Sequence, residues 1–93
     1  MIRSFKDSKV EEIAAGKAPK GFPANMLRST RQKLYYLAAA KELNDLRVPP
    51  GNHLEALKGK RRGQHSIRIN DKFRICFVWT NGGAEDVEIV DYH

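Results

Sequence analysis

Apolar and polar residues alternate along three stretches in the second half of the chain. These stretches are residues 64–70, 73–80 and 86–92, and short polar segments separate them. Because successive side chains of a strand point to opposite faces, the alternation predicts three strands that share one apolar face. The residues predicted on that face are Ile67, Ile69, Phe73, Ile75, Phe77, Trp79, Val87 and Ile89. Helices should cover this face.

The two segments between the predicted strands are typical of tight turns. Residues 70–72 (NDK) and 81–83 (NGG) are rich in types that tolerate a positive φ. Such turns make successive strands antiparallel neighbours. The other face of the sheet then gathers Arg68, Arg74 and Tyr92, which a core would not contain.

The first half of the chain has helical periodicity. Asp7 is a predicted N-cap, Val10 and Ile13 lie on one helical face, and Gly16 should end that helix. A second helix is predicted at 24–41, with outward-facing cations at Arg28, Arg31 and Lys33. Its predicted buried stripe is Leu27, Thr30, Leu34, Leu37 and Ala38.

The predicted fold is α+β in a single domain, 1–93. A short edge strand at 2–5 and the three-strand meander form a small antiparallel sheet, and two α-helices cover one face. The start of the chain is too polar for a signal peptide or a membrane segment, and one cysteine excludes an internal disulfide. We therefore expect a cytoplasmic protein that does not bind membranes.

Charge is distributed unevenly along the chain. The 17 Lys and Arg exceed the 11 Asp and Glu, which gives a net charge of +6. Residues 58–63 (KGKRRG) form the densest basic segment, and they predict either a clamp on a nucleic-acid backbone or an exposed hairpin tip. The candidate RNA-binding residues are Lys58, Lys60, Arg61, Arg62 and Arg68.

The C-terminal Asp91-Tyr92-His93 places three groups able to move protons behind a strong strand pattern. These groups suit general acid–base catalysis, although a polar terminal tail is the alternative interpretation. Arg68 and Arg74 present forked donors that fit phosphate; alternatively, they lie on a solvated face and pair with Glu88. The three His and one Cys have no zinc-site spacing, so no metal and no cofactor are predicted.

The runs LEALKG, GQHSIRIN, FRICFVW and VEIVDYH together resemble the HigB family of toxins. That family belongs to the RelE/ParE superfamily of type II toxin–antitoxin systems. The resemblance implies a ribosome-dependent mRNA endonuclease (an mRNA interferase) that enters the ribosomal A site, cuts mRNA without a metal and stops translation. It also implies a HigA-like helix-turn-helix antitoxin, through which the complex would bind operator DNA, and ribosomal RNA and mRNA as further partners.

By position, the resemblance carries the catalytic roles to Asp91, Tyr92, His93 and Arg74, and it matches Lys58 to the lysine of the LKG element. Some relatives have a His where this chain has Glu55. His53 lies two residues earlier, so by strand parity either side chain could share the proton transfer.

Two other functions remain open at the level of sequence. ParE-like relatives with the same fold are associated with inhibition of DNA gyrase, which requires no proton-transfer cluster. A non-catalytic nucleic-acid-binding module would also explain the basic segment.

Overall fold

The computed structural model describes residues 1–91. Two α-helices come first, α1 (Ser8–Ala14) and α2 (Ala24–Ala39). The strands follow: β1 (Glu55–Ala56), β2 (Gln64–Arg68), β3 (Phe73–Thr80) and β4 (Gly83–Asp91). Short 3-10 helices occupy Leu43–Arg47, Pro50–Asn52 and Gly59–Arg61.

The four strands form one antiparallel sheet in the order β1-β2-β3-β4. The predicted α+β fold is confirmed, but the two edges of the sheet differ from the prediction. The N-terminal segment lies beside β4 through two isolated parallel bridges, Ile2 to Ala84 and Phe5 to Val87, rather than as a regular strand. At the opposite edge, the two-residue strand β1 was not predicted.

Both predicted turns are present, and local chemistry explains them. Asn81 and Gly82 have φ angles of 49° and 75°, the positive values that a two-residue hairpin turn requires. Before β3, the Asn70 side-chain oxygen accepts hydrogen bonds from the backbone N–H groups of Lys72 and Phe73, at 2.9 and 2.8 Å. These turns set the registers that align side chains across the sheet.

The helices cover the apolar face of the sheet, as the alternation predicts. Asp7 caps α1 through a 2.9 Å bond from the Lys9 N–H to its carboxylate. The buried residues of α2 include Met26, whereas Ala38, predicted in the stripe, is exposed. The core combines these helices with the sheet residues Ile67, Ile69, Ile75, Phe77 and Val87.

The second face of the sheet carries polar and charged residues. Cross-strand pairing aligns Glu55 with Ser66, Ser66 with Cys76, and Cys76 with Glu88, so one row crosses all four strands. The next row pairs Arg68 with Arg74 and Arg74 with Val90. Among residues 1–91, no helix is long and apolar enough to cross a membrane.

Candidate active site

Arg74 is the central charged residue of the polar face. It lies in the middle of the sheet on β3, and only 9% of its surface is exposed. Its Nε donates to Ser66 Oγ at 2.7 Å, and its Nη2 donates to the backbone carbonyl of His53. The guanidinium is therefore held at two points by neutral oxygens, which fixes the plane of its donor fork.

Glu55 lies on the same face as Arg74. It pairs with Ser66 across β1 and β2, and its Oε2 is 4.0 Å from Arg74 Nη2. Half of the Glu55 side chain is exposed. A carboxylate that approaches a held guanidinium on an open sheet face is a candidate for proton transfer to or from a ligand.

His53 does not follow the strand parity expected from the sequence. It lies outside β1, after the 3-10 helix Pro50–Asn52, with a left-handed φ of 45°. Its backbone carbonyl, not its imidazole, is the group that contacts Arg74. The parity prediction fails because parity applies only inside a strand, and β1 starts at Glu55.

Asn52 was not singled out by the sequence pattern, yet it builds the turn beneath this site. It is fully buried, and its amide nitrogen donates to the carbonyls of Leu46 and Val48, at 3.1 and 3.4 Å. Its Oδ1 accepts a 2.6 Å hydrogen bond from Lys33 Nζ on α2. The buried amide therefore connects the turn before β1 to the second helix.

Cys76 occupies the center of the polar row but is completely buried. Burial raises the pKa of its thiol, although the nearby Arg61 opposes the shift. A buried, protonated thiol is a poor nucleophile. Cys76 is thus a small, buried residue of β3.

The basic segment 58–63 forms the tip of the β1–β2 hairpin. Lys58, Lys60 and Arg62 are exposed there. Arg61 differs, because its guanidinium donates to Gln64 Oε1 at 3.0 Å and to Glu88 Oε2 at 3.2 Å. One of the predicted RNA-binding cations thus folds back onto the sheet.

Arg68 does not pair with Glu88, the partner that the alternative interpretation predicts. Its guanidinium forms an ion pair with Asp71 in the following turn. Glu88 instead pairs with Arg61 at 3.2 Å and with Lys6 at 3.5 Å. Arg68 is directly opposite Arg74 in the register, but it is more exposed.

The cations of α2 are also less free than the sequence predicts. Arg31 donates to the carbonyls of Gly16 and Lys17, at 2.9 and 3.0 Å, and so connects α2 to the loop that follows α1. Lys33 is half-buried against Asn52. Of the three outward cations predicted, only Arg28 is exposed.

The C-terminal motif is described only in part. Asp91 is exposed and pairs with Phe73 in the β3–β4 register, so its side chain projects to the opposite face from Arg74. Tyr92 and His93 lie outside the described residues. Within residues 1–91, no three His, Cys, Asp or Glu side chains come together in a group that could hold a metal ion.

The sequence of this small α+β domain matches a family of toxins. Residues 3–93 match the family model described as "RelE-like toxin of type II toxin-antitoxin system HigB". The chain belongs to this family of HigB-like toxins. Membership in a toxin–antitoxin family also implies an antitoxin partner.

Individual relatives agree with this assignment. The chain is 38% identical over 85 residues to "Toxin HigB-1" of Vibrio cholerae serotype O1, which covers 90% of each protein. It is 31% identical over 93 residues, the full length of both proteins, to "Endoribonuclease HigB" of Proteus vulgaris. An uncharacterized protein of Haemophilus influenzae is 36% identical over 65 residues, 70% of this chain and 64% of that protein.

Proposed function

We propose that this toxin is a ribosome-dependent endoribonuclease that cuts translated mRNA in the ribosomal A site and thereby stops translation and growth. Action at the ribosome entails a cytoplasmic location. The supporting observation is Arg74: a guanidinium almost removed from solvent and held by neutral oxygens of Ser66 and His53. The relative named an endoribonuclease aligns along the whole chain and supports the same activity.

The proposed reaction is cleavage of a phosphodiester by the adjacent ribose 2′-OH. A base removes the hydroxyl proton, and the 2′-oxygen attacks phosphorus in line. An acid protonates the departing 5′-oxygen, which leaves a 2′,3′-cyclic phosphate and a 5′-OH. The pentacoordinate intermediate carries additional negative charge, so a preorganised cation accelerates its formation.

Arg74 is the cation proposed to stabilise that charge. A guanidinium whose orientation is already fixed requires little reorganisation when charge develops on the phosphate oxygens. Lys58 and Arg68 are proposed to assist it. Lys58 is exposed at the hairpin tip, and Arg68 borders Arg74 across the strands.

Proton transfer is assigned to His93 and a carboxylate, and Tyr92 is proposed to stack on a base of the RNA. The resemblance selects Asp91 as that carboxylate, but the register of β3 and β4 places its side chain on the face opposite Arg74. Glu55 is a second candidate, supported by its 4.0 Å approach to Arg74 on the same sheet face.

The exposed cations Lys60 and Arg62, with the partly exposed Arg61, are proposed to bind RNA phosphates.

The antitoxin of this proposal is a HigA-like helix-turn-helix protein encoded beside the toxin, and the complex binds operator DNA only through it. The toxin's charge of +6 supports an acidic contact surface on that partner. Co-expression of the neighbouring reading frame should restore growth. Growth arrest that continues with the neighbouring protein present would contradict this pairing.

Primer extension on a reporter mRNA tests the activity, with and without translating ribosomes. The wild type should cut within codons only when ribosomes translate the message, and His93→Ala should not cut although it stays folded. Cuts in naked RNA would indicate a free ribonuclease. Growth arrest without any cuts would overturn the proposal in favour of a protein-directed poison.

A further inference from the structure

Lys33 is a half-buried cation that is held by a neutral group. Its Nζ donates to the Asn52 side-chain oxygen at 2.6 Å. Among residues 1–91, no carboxylate oxygen lies within 4.0 Å of this ammonium. A neutral amide satisfies one donor but does not balance the charge, so the positive field of Lys33 persists.

A second cation increases this imbalance. Burial, and then repulsion from the Arg68 guanidinium, lower the pKa of Lys33 below its ordinary value. The Tyr36 ring, whose centroid is 5.8 Å from Nζ, offsets only part of this effect. An anion beside Lys33 would offset the repulsion and favour the charged form of the lysine.

The turn that holds Lys33 also holds Arg74. Asn52 accepts from Lys33, and the next residue, His53, accepts from Arg74 through its carbonyl. One anchor is a side-chain oxygen and the other a backbone oxygen, so the two cations are bound by consecutive residues of one chain segment. The buried amide of Asn52 fixes the orientation of that segment through its bonds to two backbone carbonyls.

We propose that Lys33 binds an mRNA backbone phosphate adjacent to the one that is cleaved. This inference rests on the proposed endoribonuclease function, because it takes Arg74 as the group at the cleaved phosphate. Single-stranded RNA has one phosphate per nucleotide, and residues 52–53 bind both cations, so the phosphate proposed for Lys33 is the neighbour of the one at Arg74. A lysine ammonium has three donors, and Asn52 uses one of them.

Cleavage kinetics on programmed ribosomes test this subsite. Lys33→Gln removes the charge and keeps a polar side chain with an N–H donor. We expect KM to rise about tenfold with kcat unchanged, because a contact away from the reacting atoms binds substrate and transition state alike. Lys33→Arg keeps the charge and should recover most of the loss.

Arg28→Gln is the matched control. Arg28 is exposed on the same helix, about 140° around the axis from Lys33, and its substitution changes the net charge equally. Lys33→Gln should also reduce the slope of log affinity against log salt by about 0.7, the value for one single-strand phosphate contact. Arg28→Gln should leave KM unchanged.

The outcomes separate this inference from the proposed function. Ribosomal cleavage absent in the wild type would overturn both. Normal wild-type cleavage, with Lys33→Gln indistinguishable from Arg28→Gln, would overturn the phosphate subsite alone.

Thermal unfolding of each variant checks that the turn at Asn52 is intact. If Lys33→Gln unfolds, the wild type provides the test: saturation with a 2′-O-methyl trinucleotide should raise the pKa of Lys33 in an NMR titration of its side chain. An unchanged pKa in the saturated complex would contradict the proposal.

Discussion

Arg74 and the tip of the β1–β2 hairpin carry the same sign of charge in opposite settings. The Arg74 side chain is 11% exposed and is held by Ser66 and His53, whereas Lys58, Lys60 and Arg62 project into solvent. Burying a cation costs desolvation free energy unless hydrogen-bond partners offset it. Exposed cations keep their hydration, and salt screens their interactions. Burial and fixed hydrogen-bond partners, rather than the number of cations, therefore distinguish the proposed catalytic cation from the proposed docking surface.

The same substitution in both regions should have very different effects. Arg74→Lys should reduce the cleavage rate constant at least a hundredfold, because a lysine ammonium lacks the planar fork that reaches both Ser66 and His53. Arg62→Lys at the hairpin tip should retain the wild-type rate within about twofold. Single-turnover cleavage on programmed ribosomes measures both, and equal rates for the two variants would remove the distinction.

Loss of one of the oxygens that hold Arg74 should have a smaller effect. Ser66→Ala removes a buried hydroxyl and should lower kcat about tenfold with little change in KM, because the guanidinium loses the oxygen that holds its Nε. Ser66 is a positioning residue in this account, since it acts through Arg74.

Thr30→Val is the control for loss of a buried hydroxyl. Thr30 is fully buried, and its hydroxyl has no hydrogen-bond partner among residues 1–91. This variant should retain full activity and at least wild-type stability. A Ser66→Ala enzyme with unchanged kcat would mean that Arg74 does not depend on its anchor.

The hairpin tip should affect association more than chemistry. The double variant Lys60→Gln/Arg62→Gln should bind ribosomes more weakly at low salt, with a salt slope reduced by about 1.4 for two lost phosphate contacts. The rate constant at saturating ribosomes should not change. An unaltered slope would show that the tip does not bind RNA.

The smallest effect is expected at Cys76. Burial raises the pKa of this thiol, so it remains protonated through the neutral range and supplies no thiolate beside Arg74. Cys76→Ala should therefore cleave within about twofold of the wild type. A large loss of activity in a folded Cys76→Ala variant would show that the thiol takes part in cleavage.

Strand parity predicted part of the core that the sheet contributes. Ile67, Ile75 and Phe77 fall on the predicted apolar face, and all three are buried under the helices. The Asn81-Gly82 turn was equally predictable, because its two positive φ angles follow from local residue preference. These features depend on interactions between near neighbours in the sequence.

The parts of the candidate site that escaped prediction depend on distant contacts. Arg61 folds back because the register brings Glu88 to it from 27 positions away. Asn52 is buried because two backbone carbonyls and Lys33 satisfy its amide, and no pattern within 50–53 indicates this. Two residues of β1 are too few for alternation to be recognised.

Chemical rescue of Arg74→Ala is the most direct test of the central claim, that a preorganised guanidinium at this position stabilises the cleavage intermediate. Single-turnover cleavage on programmed ribosomes should fall about a thousandfold in this variant. Millimolar guanidinium should restore part of the rate by occupying the vacated space beside Ser66 and His53. Arg68→Ala, altered at the directly opposite position, should lose far less and show no rescue. Equal rates for the two variants, or a loss in Arg74→Ala that guanidinium does not relieve, would contradict the account.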